Sequence, residues 1–560
     1  MDLSIKNTVK IVIFFFLLMT PFWIARTFLV LLNPELAIGD WLNYLFVSLR
    51  FDLKAASIWY SPLYIVLAFG LVFPHNYIHK VAKVLFVFAY LAALTFGLIA
   101  VFYFPISKNI NGIELFQLVQ GQEPRVIFGY IKNYWVAILG AVGIGCLALQ
   151  LYKKTKVELN RMPALLACIV GLLVLAFFAR GGVALKPLNL LDAYAQLDEK
   201  EAISAVTPTY VLIESIGKKE LEVLSYFNDE VLEESLALDH IKLQQLSIEQ
   251  PNICLILLES FGKEYTGYNL SERPSYTPFL DSLAEHSVYY TNAYANGLRS
   301  IDAVTSTLTG IPALMKQPFI GSLYTYNDVN SVPEVLDSLG YYTSFYHAAD
   351  ELSMGFKPFL LSKGLDKYYG KQQYPSMNDF DGTWGIFDEP FLSFCADELS
   401  NQQQPWMSGV FTLSSHHPYA IPQRYAGLPK GTSEIHQSVG YTDNALRMFF
   451  KKAATMPWFE NTIFIITADH TSINQTPTYS TYRGKYEVPL MLYAPKFFAP
   501  KEIEQLAQHI DIAPTIKHLA GLKETVSLGT SLLDSIATDV VLYDGNIYML
   551  TNDSLTLQWN

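Results

Sequence analysis

The chain has 560 residues, 51% of them hydrophobic, and a formal net charge of −12 at pH 7. That length exceeds one ordinary domain, and the apolar excess, concentrated in the first third, is high for a purely soluble protein. The acidic balance falls mostly after residue 185 and no basic stripe occurs, which argues against a nucleic-acid partner.

The first third carries the membrane signal. A bilayer span needs about 20 mostly apolar residues, and five stretches approach that length: 9–32, 56–73, 81–103, 134–151 and 163–179. The first is too long and uninterrupted for a cleaved signal peptide, so it is expected to remain as an anchor. Lys6, Lys10, Lys80, Lys83, Lys153, Lys154, Lys156 and Arg161 flank the spans on one side. Positive loops stay in the cytoplasm, so the chain after Arg180 is expected outside it. Arg50, Asp52 and Lys54 precede the second span, either as an intramembrane functional site or as an interfacial stretch whose long side chains snorkel; the latter is the expectation.

A transmembrane domain is therefore expected over 1–182, and a polar, Glu- and Lys-rich helical connector over 183–248. Strand-like runs then alternate with amphipathic helical patterns over 249–560, which predicts an α/β domain with a mostly parallel sheet. Turn signals at Asp544-Gly545 and Asn552-Asp553 predict a small antiparallel element at the end. The four cysteines, Cys146, Cys168, Cys254 and Cys395, all sit in apolar surroundings and read as small core residues, not as a disulfide framework.

Within the α/β domain one pattern repeats. The runs ICLILLES (253–260), YTSFYH (342–347), MSGVFTLSS (407–415) and TIFIITADH (462–470) are apolar strands that end in Glu259, His347, His416 with His417, and Asp469 with His470. Ligands of open α/β sheets bind beyond the carboxyl ends of the strands, so these groups are expected to share one edge. Glu259, Asp469 and His470 form an oxygen and nitrogen donor set suited to one divalent ion: Mn²⁺, Mg²⁺ or Zn²⁺. Three protein ligands leave an open position, as catalytic sites do. Ser300, in ANGLRSIDAVTSTLTGIP, follows a glycine-containing loop at the start of a helical pattern, where free backbone N–H groups suit a phosphate. There it reads either as a metal-activated nucleophile or as a simple helix cap.

Taken together, LLES, GLRSID, TLSSHHPY, TADH, EVPLMLYAP and HIDIAPTIKHLAG resemble the membrane-anchored, sulfatase-fold phosphotransferases of the lipoteichoic acid synthase type. The resemblance implies a sulfatase/alkaline-phosphatase-like domain in which Glu259, Ser300, Asp469 and His470 bind one metal ion, Mn²⁺ first. It also implies that Ser300 stands where those synthases have a threonine nucleophile, and that His416 contacts the transferred phosphate group. True sulfatases convert a Cys or Ser in a C/S-x-P/A-x-R context; Ser300 is followed by Ile301, Asp302, Ala303 and Val304, so that signature is absent.

The sequence departs from the synthases after the matching His347, which is itself expected to contact substrate. Met354 and Phe356 occupy the offsets of a tryptophan and an arginine that hold phosphoglycerol. Trp384 could line the pocket instead, or serve as a core aromatic. Arg299 could take over the phosphate clamp with His416, its planar fork holding two oxygens, or could pair with Asp302. The expected function is metal-dependent transfer of a phospho-head-group, phosphoglycerol first, from a membrane phospholipid to an extracytoplasmic glycan or lipid. Phosphoethanolamine transfer, phosphodiester hydrolysis and a catalytically silent receptor are the alternatives.

Overall fold

The computed structural model describes residues 5–33, 36, 38–73, 75–107, 139–140, 143–152, 161–183, 187–189, 191–194, 196–197, 199–215, 221, 241–243, 248–268, 275–534, 539–552 and 554–559. The chain divides into two compact units, Met1–Leu221 and Glu222–Asn560.

The first unit is helical. Its elements include α1 (Ile5–Leu32), α2 (Trp41–Trp59), α3 (Ser61–Val72), α4 (Asn76–Ser107), α5 (Gly143–Tyr152) and α6 (Arg161–Arg180). Short helices follow, among them α7 (Glu199–Ala205) and α8 (Pro208–Ser215). Among the described residues two helices are long and apolar enough to cross a bilayer, over Val9–Leu32 and Asn76–Val101. The predicted span 56–73 is not one continuous helix: α2 and α3 meet at a 64° bend at Tyr60. Pro62 explains the break, since it offers no N–H to the Ile58 carbonyl, which accepts from Ser61 Oγ instead (2.7 Å). Asp40 starts α2 by accepting from the N–H groups of Leu42 (3.0 Å) and Asn43 (3.2 Å). Residues 134–138 and 141–142 of the predicted span 134–151, together with Lys153, Lys154 and Lys156 and about half of the connector 183–248, lie outside the described residues.

The snorkelling expectation is corrected. Asp52 is fully buried and takes a two-pronged ion pair from Arg26 (2.7 and 2.5 Å). Lys54 is buried too, donating to the Leu188 carbonyl and to Glu214 (3.1 Å). Only Arg50 stays at the periphery, on Gln196 Oε1 (3.1 Å). Charges cost far less inside such a unit when each meets a partner, so these face inward.

The second unit is built on an eight-stranded sheet. Its strands are β1 (Asn252–Leu258), β2 (Val288–Tyr294), β3 (Tyr342–His347), β4 (Lys367–Tyr369), β5 (Trp406–Phe411), β6 (Thr462–Ala468), β7 (Leu490–Tyr493) and β8 (Lys501–Gln508). The spatial order is β4-β3-β5-β1-β6-β7-β2-β8, and every pairing is parallel except those of β7. β1, β5 and β6 are buried at every position, the mark of central strands covered on both faces. Four helices matter to the site: α9 (Ser300–Thr309), α10 (Asp388–Ser400), α11 (Ile435–Ala453) and α12 (Ile512–Leu519). The tail forms a three-stranded antiparallel sheet, β9 (Val540–Tyr543), β10 (Tyr548–Thr551) and β11 (Thr556–Trp559). Asp544 closes its first turn by accepting from the N–H groups of Asn546 (3.0 Å) and Ile547 (3.1 Å).

Candidate active site

The four strands with polar ends, β3, β5, β1 and β6, are consecutive neighbours in the sheet and run parallel. Their carboxyl ends therefore lie on one edge, and Glu259 and Asp469 follow directly on the paired residues Leu258 and Ala468. Glu259, Asp469 and His470 each bring one ligand atom to within 4.8 Å of the others. Both carboxylates are buried and His470 is nearly so. Ser300 enters from the start of α9, its Oγ 3.2 Å from Glu259 Oε2 and 3.3 Å from His470 Nε2.

Local backbone fixes each of these groups. Gly297 lets the loop pass close to the Asp302 side chain, where an added Cβ would lie 2.4 Å from the Asp302 Cβ. Gly310 ends α9 in the left-handed conformation (φ 71°) and donates to the Ser306 carbonyl (3.0 Å). Asp469 Oδ1 accepts from the N–H groups of Ser260 and His470, both at 2.7 Å. Its Oδ2 has no hydrogen-bond partner among the described residues, although it is buried. His470 Nδ1 lies 2.6 Å from the Thr471 carbonyl, while Nε2 faces Asp469 Oδ2 at 3.2 Å. An imidazole that donates one ring N–H to a carbonyl presents its other nitrogen as a ligand.

The electrostatics agree with this geometry. Burial, and then the Glu259 charge, push the Asp469 carboxyl well above its usual range. Burial opposes protonation of His470, but the carboxylates of Asp469 and Glu259 outweigh it and the net shift is upward. Two neighbouring buried carboxylates, one with an unpartnered oxygen, are costly without a cation. The residues present therefore fit a divalent ion.

The remaining predicted residues divide. His416 is half-buried at the rim, with Nδ1 2.9 Å from the His417 carbonyl. Trp384 is no core residue: it is 38% exposed, stands edge-on to His416 at 4.6 Å and donates to the His417 carbonyl (2.7 Å). His347 departs from the expected substrate contact. It is fully buried, with its ring against Phe356 and Phe411, both at 5.2 Å, and burial followed by the His416 charge lowers it to about 3. Phe356, itself fully buried, covers it. Of the two readings of Arg299, the structure has the pairing with Asp302. Its fork is turned to the Asp302 carboxylate (2.8 and 3.0 Å), with a further bond to the Lys316 carbonyl (3.3 Å). Asp302 is buried three residues along the same helical turn, so the fork meets that carboxylate locally.

Several supporting residues escape sequence reasoning. Ser260 adopts φ 60°, unusual without glycine, which lets its N–H hold Asp469 while its Oγ donates to Glu259 Oε1 (2.7 Å). Thr412 accepts from the Glu259 N–H (2.9 Å), and Ser415 donates to the Glu259 carbonyl (2.5 Å). Asp388, at the start of α10, accepts from the N–H groups of Leu413 (2.7 Å) and Ser414 (3.1 Å) and from Thr442 Oγ1 (2.6 Å). It thereby ties the loop that carries His416 to α11. Only LLES and TLSSHH, as hydroxyl-rich strand ends, signal any of this in the sequence.

A mostly parallel sheet with a cluster of acid, imidazole and hydroxyl groups at its strand ends defines an α/β domain with a candidate catalytic edge. Residues 251–522 match the sulfatase family. Lipoteichoic acid synthase 1 of Bacillus subtilis is 27% identical over 329 residues, covering 53% of this chain and 50% of that protein. Phosphoglycerol transferase I of Escherichia coli (strain 55989 / EAEC) is 23% identical over 308 residues, covering 51% of this chain and 40% of its own. The match thus spans about half the length of these relatives or less. Two solved structures share the fold. A protein in the alkaline phosphatase superfamily from Vibrio parahaemolyticus has a TM-score of 0.52 at 23% identity, covering 66% of this chain and 84% of its own. The lipoteichoic acid synthase LtaP from Listeria monocytogenes has a TM-score of 0.50 at 20% identity, covering 57% and 88%.

Proposed function

We propose that this protein is a metal-dependent phosphotransferase that takes a phospho-head-group, phosphoglycerol first, from a membrane phospholipid and passes it to an extracytoplasmic glycan or lipid. The observation that carries the reading is the Ser300 hydroxyl held between Glu259 Oε2 (3.2 Å) and His470 Nε2 (3.3 Å), beside an unpartnered buried oxygen of Asp469. The names of the relatives, lipoteichoic acid synthase and phosphoglycerol transferase, support the choice of head group.

Glu259, Asp469, His470 and Ser300 would hold one divalent ion, Mn²⁺ first, with Mg²⁺ and Zn²⁺ as alternatives. Bound there, it would supply positive charge that lowers the Ser300 hydroxyl pKa and neutralises phosphoryl oxygens. Ser300 Oγ attacks the phosphorus, and its proton is held at Glu259 Oε2. The bond from phosphorus to the lipid glycerol oxygen breaks, and diacylglycerol leaves with the proton held at Glu259. An acceptor hydroxyl then displaces Ser300 from the head group, giving its proton through Glu259 to the departing Ser300 Oγ. With Nδ1–H on the His417 carbonyl, His416 donates to an equatorial oxygen from Nε2 as the imidazolium, and Trp384 fixes the plane of that ring. Positioning and charge neutralisation of this kind make up most of what phosphoryl transfer requires.

The helical unit anchors the protein in the cell membrane, with the α/β unit on the outer face. The test is incubation of the full chain, in detergent with Mn²⁺, with head-group-labelled phosphatidylglycerol and phosphatidylethanolamine. Label on Ser300 by mass spectrometry, from phosphatidylglycerol in preference, is the expected result. Release of free head group without Ser300 labelling would replace the reading with phosphodiester hydrolysis, and preference for the ethanolamine lipid would replace the head group.

A further inference from the structure

A second set of buried polar groups lies behind the strand-end cluster, where nothing in the proposed chemistry uses it. In the sheet order β6-β7-β2-β8, two strands separate β6 from β8, and β7 runs against its neighbours. The carboxyl end of β6 leads into Asp469 and His470, and that of β2 into the loop that ends at Ser300. Beyond β8, whose last residue Gln508 pairs with Tyr294 of β2, the chain makes a short 3₁₀ turn over His509–Asp511. This turn crosses back to β6: His509 Nε2 lies 2.9 Å from the Ala468 carbonyl, which belongs to the peptide bond joining Ala468 to Asp469. It also grips the chain four residues before Ser300, because Asn296 accepts from the Ile510 N–H (2.9 Å) and donates to Gln508 Oε1 (2.8 Å). The metal-ligand strand and the nucleophile strand are thus joined by contacts outside the hydrogen-bond ladder of the sheet.

The turn is fixed from its other side as well. Asn296, Gln508, His509 and Asp511 are all buried. Asp511 accepts from the N–H groups of Gln508 (2.9 Å) and Thr530 (3.0 Å). Gly529 packs so closely that an added Cβ would stand 2.3 Å from the Ile510 carbonyl oxygen. A carbonyl only accepts, so the proton of His509 sits on Nε2. Nδ1 has no hydrogen-bond partner among the described residues, which leaves the bond to Ala468 as the polar contact this ring makes there. Ser300 Oγ keeps its 3.3 Å to His470 Nε2 only while the end of β6 and the nucleophile loop keep their separation, and His509 spans that separation. Groups that orient metal ligands from behind typically cost about 10- to 100-fold in metal affinity or activity when they are removed.

We infer that His509 is a positioning residue: its Nε2–H holds the end of β6, and with it Asp469 and His470, in place against the loop that carries Ser300. The inference rests on the proposed reading of the strand-end cluster as a metal site. The experiment uses the full chain in detergent. Mn²⁺ affinity is read from the electron paramagnetic resonance signal of free Mn²⁺, and the rate of Ser300 labelling is read at saturating Mn²⁺ and increasing phosphatidylglycerol. His509→Gln keeps an N–H near the place of Nε2, whereas His509→Leu fills the space without one. In the leucine variant, Mn²⁺ affinity and the maximal labelling rate should each fall about 10-fold, with the KM for lipid within about 2-fold of the parent's. The glutamine variant should return both to within about 3-fold of the parent. If the leucine variant does not fold, His509→Asn, whose amide stands near the place of Nδ1, takes its part and should show the same losses. Parental Mn²⁺ affinity and labelling without the N–H, or equal losses in the glutamine and leucine variants at equal melting temperatures, would overturn the role. A parent chain that binds no Mn²⁺ would sink the metal site itself, and this role with it, so the two failures are told apart by the parent.

Discussion

Replacing Asp469 with asparagine tests the metal centre through two opposite effects. Asparagine keeps an oxygen for the N–H groups of Ser260 and His470, so the loop geometry survives. It removes one of two buried carboxylates whose ligand atoms lie within 4.8 Å. At an effective dielectric constant of about 20, two unit charges that far apart repel by about 3 kcal/mol, which the parent avoids by keeping a proton on Asp469 up to its raised pKa. Without metal and above that pKa, the variant should therefore be more stable than the parent, by up to about 6 °C in melting temperature at ~2 °C per kcal/mol. With Mn²⁺ the order should reverse, because a ligand charge is lost; a 100-fold weaker affinity corresponds to about 2.7 kcal/mol. Thermal melts of the full chain in detergent, with chelator and across a Mn²⁺ titration, measure both. A variant that melts lower in chelator and still gains the parent's full shift with Mn²⁺ would refute the assignment of this cluster as a metal site.

Three further outcomes are expected. Ser300→Ala should abolish head-group transfer, by at least about 1,000-fold, while Ser300→Thr, which keeps a hydroxyl, should hold transfer within about 10-fold; head-group release assays compare them, and an active alanine variant would end the nucleophile assignment. Burial raises the Asp388 carboxyl to about 6, above its unfolded value of about 3.9. The folded chain therefore binds a proton that the unfolded chain lacks between these values, and stability should fall as pH rises through that window, by up to about 3 kcal/mol. In Asp388→Asn that part of the fall should be missing from denaturant midpoints taken across the window, and an unchanged slope would reject it. Reporter fusions at Lys154 and at the C-terminus should place the first in the cytoplasm and the second outside, and a cytoplasmic C-terminus would overturn access to an outer-leaflet donor.

How much of this was legible in the chain follows from the range of the forces involved. The run from Thr462 to Ala468 has no polar face, and a strand covered on both sides needs none, so β6 and its relatives β1 and β5 were readable from local pattern. The abrupt polar ends of those runs located Glu259, Asp469 and His470, because parallel strands put their carboxyl ends on one edge. Hydropathy likewise located the first helix and Asn76–Val101. It misread Asp52 and Lys54, because a hydropathy window prices each charge alone, whereas Arg26, the Leu188 carbonyl and Glu214 supply partners from distant parts of the chain. The same limit applies to Arg299, whose choice between a phosphate and Asp302 depends on how the loop before α9 turns, and to His347, whose burial follows from the packing of Phe356. Composition and periodicity thus determined which residues could do chemistry and on which elements they lie. Tertiary structure alone decided which of them meet, since pairing, burial and unpartnered oxygens are properties of neighbours that the chain brings together only on folding.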